Sequence, residues 1–467
     1  MKLRYFLYTF VLSVFGIMIS CKKESLDTSG IPFLGGDTSK GQATIDKWIK
    51  DSLNTPYNIQ VKYKFDEFES GKPNADLVPI KEEIVIPALS DIKRVWIKTY
   101  EAIAGAGFIK TYVTKVVNMV GSPAYNTNGS ITLGEAEGGL KINLFDMNRY
   151  DPVNNYELFV QKMHTIHHEF GHILQQHKYY TPEYQKISQG FYNGNWTLLS
   201  DDDAHSQGFA TPYSASAPDE DFVEVISTML VQGKDYWENL KKHETIVGFP
   251  QATAMLNAKE QIIVAYYKDK WNIDFYALQE AVRIAMSQIV PPPTPPVSSW
   301  LGSQYYFGSI KMDSTMLKNN TSGNVRDSIN KSFRIVVANN YRFDSLTFAF
   351  TYPDTLLIRA KFGPKTPLST VYICDYRYKI TYTSDGNLTV GPVIINTNRD
   401  GYNGSNAYYL KVLMDPISNY LNKFPSVISW FPSPPVYPMV TNTPNVKVIA
   451  TSNANSYFWG RVSQSLN

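Results

Sequence analysis

The chain has 467 residues, 43% of them hydrophobic, and a formal net charge of +2. That length supplies two or three hydrophobic cores. Its 44 Lys and Arg are scattered against 42 Asp and Glu without forming a basic stripe, a balance that gives no ground for nucleic acid or an acidic membrane as partner.

Residues 1–20 read as a targeting segment, because Lys2 and Arg4 precede a mostly apolar run over residues 5–19. Met18-Ile19-Ser20-Cys21 then resembles a lipobox, where a bacterial lipoprotein is cleaved and its new N-terminal cysteine lipidated; Met18 stands where Leu is usual. The plainer alternative is a secretory signal with an incidental cysteine. Residues 21–42 are rich in Ser, Thr and Gly and read as a flexible tether. No later apolar stretch is long enough to span a bilayer. The expected attachment to the cell envelope is therefore through lipid on Cys21 alone. With Cys21 acylated, Cys374 has no intramolecular disulfide partner and is expected to be a small core residue.

Residues 43–290 mix helix and strand patterns. The periodicity predicts a short helix over 45–53, a strand over 59–65 and a long helix over 83–104. Strands over 111–120 and 139–144 follow, and later helices over 219–231, 249–268 and 276–288. Pro291-Pro292-Pro293-Thr294-Pro295-Pro296 opens a stiff spacer over 291–299. Beyond it, β-branched and aromatic runs at 333–337, 345–351, 356–361, 371–383 and 408–412 are separated by Asn, Gly, Asp and Pro turns, with Asn403-Gly404 as one tight turn. These predict a mostly β domain over 300–467, a sandwich or small barrel. Its Trp300, Trp430 and Trp459 could stack sugar rings, core packing being the simpler reading.

Five of the seven histidines fall between positions 164 and 177, and His168-Glu169-Phe170-Gly171-His172 is an HExxH motif. On a helix, residues i and i+4 share a face, so both imidazoles can reach one metal ion. The enclosed Glu169 lies where it can take a proton from the water that the ion activates. Tyr156, Phe159, Met163, Ile166, Phe170 and Ile173 recur at steps of three and four, predicting an amphipathic helix of about six turns. Its start is set by Pro152 or by the Asn154-Asn155 pair. His164 lies on the same stripe and could replace a motif histidine, but only the 168/172 pair encloses a Glu. His167 and His177 point elsewhere and read as surface or supporting residues.

A catalytic zinc takes a third protein ligand and keeps a position for water. The HExxHxxGxxH pattern fails, because Gln175 and Lys178 occupy its glycine and histidine positions. A Glu from a later helix is the alternative, and Asp219-Glu220-Asp221-Phe222-Val223-Glu224 opens one. Glu220 and Glu224 share a face, so one can bind metal while the other accepts a ring N–H from a ligand histidine. Glu220 is the favoured ligand over Glu224 and Glu183. Asp201-Asp202-Asp203 with His205 could bind calcium, a solvated acidic loop being the simpler reading.

Together, the HEFGH motif, Gly208-Phe209-Ala210-Thr211-Pro212-Tyr213 and Glu220-Asp221-Phe222-Val223-Glu224 resemble a family of bacterial outer-membrane lipoproteins. These are zinc-binding metallopeptidases, known as substrate import-associated zinc metallohydrolase lipoproteins. Pro56-Tyr57-Asn58-Ile59-Gln60-Val61 and Leu133-Gly134-Glu135-Ala136-Glu137-Gly138-Gly139 look like the same family. The likeness covers about 43–290, while the β region resembles accessory domains found beside it. It implies an α+β zincin-like domain of gluzincin type holding one catalytic zinc. Peptide or protein is the implied substrate, and the implied partners are a TonB-dependent transporter and its substrate-binding lipoprotein. In the lethal-factor-like gluzincins the first Glu of a Glu-x-x-x-Glu motif is the ligand, and a Tyr seven residues earlier steadies the oxyanion. The resemblance thereby assigns those roles to Glu220 and Tyr213; Val223 stands where such motifs often carry Ala. A competing reading keeps the fold without catalysis, as a surface lipoprotein presenting peptide or glycan cargo to an importer. Glu169 argues for the enzyme, since a binding module needs no general base.

Overall fold

The structure is a computed structural model, and it describes residues 40–66, 72, 75–126, 131–132, 134–137, 140–394, 406–408, 410–433, 435, 437 and 439–464. The targeting segment, Cys21, nearly all of the tether and the Asn403-Gly404 turn lie outside the described residues.

The first lobe begins with helix α1 (Lys40–Ile49), which overlaps the end of the expected tether and runs on through Lys50–Asn54 and Thr55–Tyr57. Strand β1 (Gln60–Lys62) follows, then helix α2 (Glu82–Ile92), prolonged through Lys93–Ile97 and Lys98–Ala104. The run expected to be a strand from 111 starts inside helix α3 (Ala106–Tyr112), and only β2 (Val116–Met119) is extended. After the short pair β3 (Ala124–Tyr125) and β4 (Ile131–Thr132) come β5 (Gly134–Glu137) and β6 (Lys141–Leu144). The main sheet has the order β1-β2-β6-β5. β1, β2 and β6 are parallel, whereas β5 is the edge strand and runs antiparallel, with Gly134 opposite Leu144.

Helix α4 (Tyr156–His177) starts where the side chain of Asn155 accepts the amide N–H of Leu158, at 3.3 Å. Phe159, Met163, Ile166, Phe170 and Ile173 are buried in one core with residues from the sheet and the later helices. Gly134 lets α4 lie directly on the edge strand, because a Cβ there would stand 2.0 Å from Cγ2 of Thr165. Helix α5 (Glu183–Ile187) and helix α6 (Asp201–Ser206) precede α7 (Pro218–Val247). α7 is broken at Gly233, whose φ of +81° is a conformation that glycine adopts without steric cost. α8 (Pro250–Trp271) and α9 (Phe275–Ile289) complete the lobe. His167 corrects its expected placement: it is fully buried against Tyr100, ring to ring at 5.9 Å.

The second lobe comprises β7 (Ser309–Asp313), α10 (Ser314–Asn319), β8 (Thr321–Ser322), α11 (Gly323–Ala338), β9 (Tyr341–Tyr352) and β10 (Thr355–Pro364). It continues with β11 (Tyr372–Tyr382), β12 (Asn387–Ile394), α12 (Lys411–Lys423), β13 (Ser426–Phe431), β14 (Asn445–Ala450) and β15 (Tyr457–Ser463). The strand order β14-β13-β12-β11-β10-β9-β7-β15-β8 is closed by pairing of β14 with β15. Of the two expected architectures, closure gives the barrel. Alternation along β11 turns Cys374, Tyr376, Tyr378 and Ile380 inward, and burial pushes the Cys374 thiol up to about 12. Trp300 and Trp430 are buried too. Two expected strands are corrected: residues 333–337 lie in α11, and of the 408–412 run Lys411 and Val412 open α12.

Asp235 and Asn239 in the second half of α7 join the lobes. The Asp235 carboxylate accepts the amides of Met439 and Val440 at 2.8 and 3.0 Å, and Asn239 accepts that of Tyr306 at 3.1 Å. The proline spacer is fixed to the barrel by Trp430 Nε1, which donates to the Pro295 carbonyl at 2.8 Å. No helix among the described residues is long and apolar enough to cross a membrane.

Candidate metal centre

Close approach of α4 and α7 builds the centre. Gly171, inside the HExxH motif, faces Val223, and a Cβ on Gly171 would lie 2.9 Å from Val223 Cγ1. That contact sets the first turns of α7 beside His168 and His172. Both His168 Nε2 and His172 Nε2 then stand 3.2 Å from the same oxygen, Oε2 of Glu220. Donor atoms around one tetrahedral zinc, each about 2.0–2.2 Å from it, stand about 3.3 Å from each other. Two imidazoles and one carboxylate, with all their ligand atoms within 4.8 Å of one another, are the donor set that such an ion takes. Glu183, the discarded ligand, is exposed on α5 with Lys186 at 3.9 Å.

Glu224, one turn along α7, meets the other side of the same histidine. Its Oε1 lies 2.8 Å from His168 Nδ1 and 2.9 Å from His164 Nε2, and its Oε2 accepts the Thr211 hydroxyl at 2.7 Å. His164 is held in turn by the Ser227 hydroxyl at 3.1 Å. His168, His164 and Glu224 thus form a second group whose ligand atoms lie close together. A carboxylate that receives several donors is well placed to fix the ring orientation of a neighbouring histidine.

The electrostatics follow from three carboxylates converging on one place. Burial opposes charge on His168, but Glu220, Glu224 and Glu169 outweigh it and push the imidazole up to about 10. Burial likewise works against the charge of Glu220, yet hydrogen bonds to His168 and His172 hold its carboxyl well below the usual carboxylate range. Glu224 is held low against the same penalty by His164 and His168. A buried cluster of this sign calls for a positive charge, which a proton on His168 or a metal cation can provide.

Glu169 is buried on the motif helix, and its charge is felt by both His168 and Tyr213. Tyr213 follows Thr211 in a short 3-10 turn, Pro212–Ser216, where the Thr211 and Ser214 side chains cap each other's backbone. Its ring centroid lies 5.8 Å from that of His168. Burial and the neighbouring Glu220 raise its hydroxyl above the ordinary tyrosine range, so it stays a protonated donor. The Asp201–Asp203 run forms the first turn of α6, with Asp203 in a capping box with Ser200, and His205 lies 3.2 Å from the Ala210 carbonyl.

The sequence alone gave Thr211 no role of its own and did not single out Lys259. Lys259 on α8 is fully buried; its ammonium lies 2.7 Å from Asp221 Oδ2 and donates to the Gly208 carbonyl at 2.7 Å. It thereby ties the start of α7 to the loop that leads to Thr211 and Tyr213. Asp221 also accepts the Tyr192 hydroxyl at 3.0 Å, and burial raises its carboxyl to about 6 against the opposing pull of Lys259. The signal that could have found the pair is a lone lysine among Leu256, Ile263 and Tyr266 on a buried helical face.

A family sequence model described as "Putative zinc-binding metallo-peptidase" matches residues 38–276, just over half of the chain. A crystal structure of a putative zinc-binding metallo-peptidase from Bacteroides caccae is 30% identical in sequence; the match covers 55% of this chain and 97% of that one, with a TM-score of 0.47. Among curated proteins, none matches the chain.

Proposed function

This chain belongs to the putative zinc-binding metallo-peptidase family, and on that premise we propose that it is a zinc-dependent peptidase of gluzincin type. The observation that carries the reading is the single Glu220 oxygen 3.2 Å from both motif imidazoles. His168, His172 and Glu220 would hold one zinc, and Glu224 would orient His168 from the other ring nitrogen. When bound, zinc supplies Lewis acidity and lowers the pKa of water toward neutrality. Glu169 takes the proton of the attacking water and passes it to the leaving amine. Tyr213 donates a hydrogen bond to the oxyanion that develops on the scissile carbonyl. An extended peptide would pair with β5, the antiparallel edge of a zincin-like sheet that lies against the motif helix.

Replacing Glu169 by Gln keeps the side chain's size and removes its basicity. Glu169→Gln is expected to retain zinc, measured by element analysis, while peptide-library hydrolysis falls by about 10²–10⁴-fold. Full zinc occupancy with no cleavage by the native protein would leave the cargo-presenting lipoprotein as the better account.

The setting we propose is the outer membrane, with Cys21 acylated and the enzyme trimming peptides for a TonB-dependent importer. The lipobox-like Met18-Ile19-Ser20-Cys21 supports this location. Cys21→Ala is expected to release the protein into the soluble fraction after a salt wash, and persistent membrane association would refute lipid anchoring.

A further inference from the structure

Between α5 and α7 the chain makes a wall beside the metal centre. It has a small core of its own: Ala204, Phe209 and Ala215 are buried, with Tyr192, Trp196 and Leu199 packed on them. The wall is pinned at several points. The Asn193 amide donates to the Ala215 carbonyl at 2.8 Å, Tyr192 reaches Asp221, and Lys259 holds the Gly208 carbonyl. A segment tied in this way keeps its shape when a ligand arrives, which favours selective binding.

An unbroken aromatic path runs from the centre into this wall. The Tyr213 ring lies 5.8 Å from His168, and Trp196 meets Tyr213 edge-on at 4.9 Å. Extended peptide advances about 3.3–3.6 Å per residue, so Trp196 falls within reach of side chains close to a bond held at the metal. The same stretch leaves large apolar groups in water: Leu198 is 82% exposed, Phe191 45% and Tyr213 36%. Scattered exposed hydrophobics are ordinary, but Tyr213 adjoins the candidate centre and Leu198 shares a single 3-10 turn with Trp196, and apolar surface beginning at such a centre marks a binding surface. Just past Leu198, Asp201, Asp202 and Asp203 form an acidic helix turn, and such a turn disfavours an acidic occupant.

Resting on the peptidase reading, we propose that this wall selects peptides with a large apolar or aromatic side chain near the scissile bond, with Trp196 and Leu198 as specificity-determining residues. The occupant is the substrate's own side chain, packed against Trp196 and the exposed Leu198 and kept from carrying a carboxylate by the aspartates.

The test uses zinc-loaded full-length protein and binding in place of turnover. Acetohydroxamate reports the metal alone, and phenylalanine and aspartate hydroxamates add a side chain. The phenylalanine compound is expected to bind at least about ten-fold more tightly than the aspartate compound, the scale of hydrophobic side-chain discrimination. Trp196→Ala should reduce that ratio to about two-fold or less and leave acetohydroxamate binding unchanged. Because Trp196 also packs on the small core, Leu198→Asp provides a second variant at a site open to solvent, and it too should lower the ratio. Equal binding of the two compounds by the native protein, or an undiminished ratio in both variants, overturns the inference while the metal reading stands. Failure of acetohydroxamate to bind the zinc-loaded protein overturns the metal reading and this inference with it.

Discussion

In the first lobe, buried positions include Asp146, Lys162, His167, His168, Glu169, Asp221, Glu224, Lys241, Glu244, Lys259 and Glu260. Among the described residues of the barrel, the buried polar side chains are Ser, Thr and Asn, such as Ser332, Thr347, Ser418 and Asn320. A hydroxyl or amide is satisfied inside a protein by one or two hydrogen bonds, whereas a buried charge costs several kcal/mol unless it is paired. The first lobe therefore carries a destabilising inventory that the barrel avoids. Part of that inventory surrounds the candidate centre, where His164, His168, Glu169, Glu220 and Glu224 stand together, and part supports it, as Lys259 and Asp221 do. Perturbed, buried ionisable groups gather where chemistry is done, and the first lobe is where they gather here.

The largest expected break in this comparison comes from the two glutamates of α7. Glu220→Ala is expected to abolish zinc retention on dialysis. Glu224→Ala should retain zinc but bind it about 10–100-fold more weakly, because His168 loses the group that orients it. A reversed order in competition titrations would give the ligand role to Glu224. Next is the buried ion pair. Lys259→Met leaves the Asp221 carboxylate without its cation and should cost on the order of 3–5 kcal/mol in urea unfolding, with much of the loss recovered by adding Asp221→Asn. The corresponding change in the barrel is Ser418→Ala, which removes the partner of the Tyr378 hydroxyl at 2.6 Å and should cost only about 1 kcal/mol. Equal losses would erase the contrast between the lobes.

The smallest effect concerns pH. Among the described residues the buried Lys162 ammonium has no hydrogen-bond partner, and burial pushes it down to about 8 from the ordinary 10.5, with Asp146 and Arg149 as lesser influences. Between those values the unfolded chain binds a proton that the folded chain does not, so this group adds stability as pH rises from about 8 to 10.5. Below about 8 both states carry the proton and the penalty is constant. Lys162→Met should therefore be more stable than the native protein at pH 7, with the difference in Tm narrowing as pH approaches 10.5. A difference independent of pH would mean that Lys162 keeps its ordinary pKa in the folded chain.

The helix that carries the motif was legible because its signal is local. Six apolar positions at steps of three and four define one face, and the i, i+4 histidines follow from it. The grouping of Glu220 with them was legible from a second i, i+4 pair on a helix start. Packing decided the rest. Residues 333–337 look like a strand because Ile335, Val336 and Val337 are β-branched. Yet Val325, Ile329, Ser332 and Val336 are the buried positions and recur at helical spacing. Leu413, Met414, Ile417, Tyr420 and Leu421 similarly draw the chain after 410 into α12. β12 to β15 went unread because each short strand owes its place to neighbours across the barrel. Lys259 lies 38 residues from Asp221, and no local pattern reports a contact that only the folded chain creates.

Gly233 divides α7 into two halves with different duties. Upstream lie Glu220 and Glu224; downstream, Asp235 and Asn239 make the hydrogen bonds that the described residues show from α7 to the barrel and its spacer. A continuous helix would behave as a rod and pass any shift of the barrel straight to the candidate metal ligands. The break interrupts that rod, and Arg283, whose guanidinium donates to the Val231 carbonyl, anchors the upstream half on its own side. The second half of α7 thus serves as a mount for the barrel, and the first half as the frame of the candidate centre.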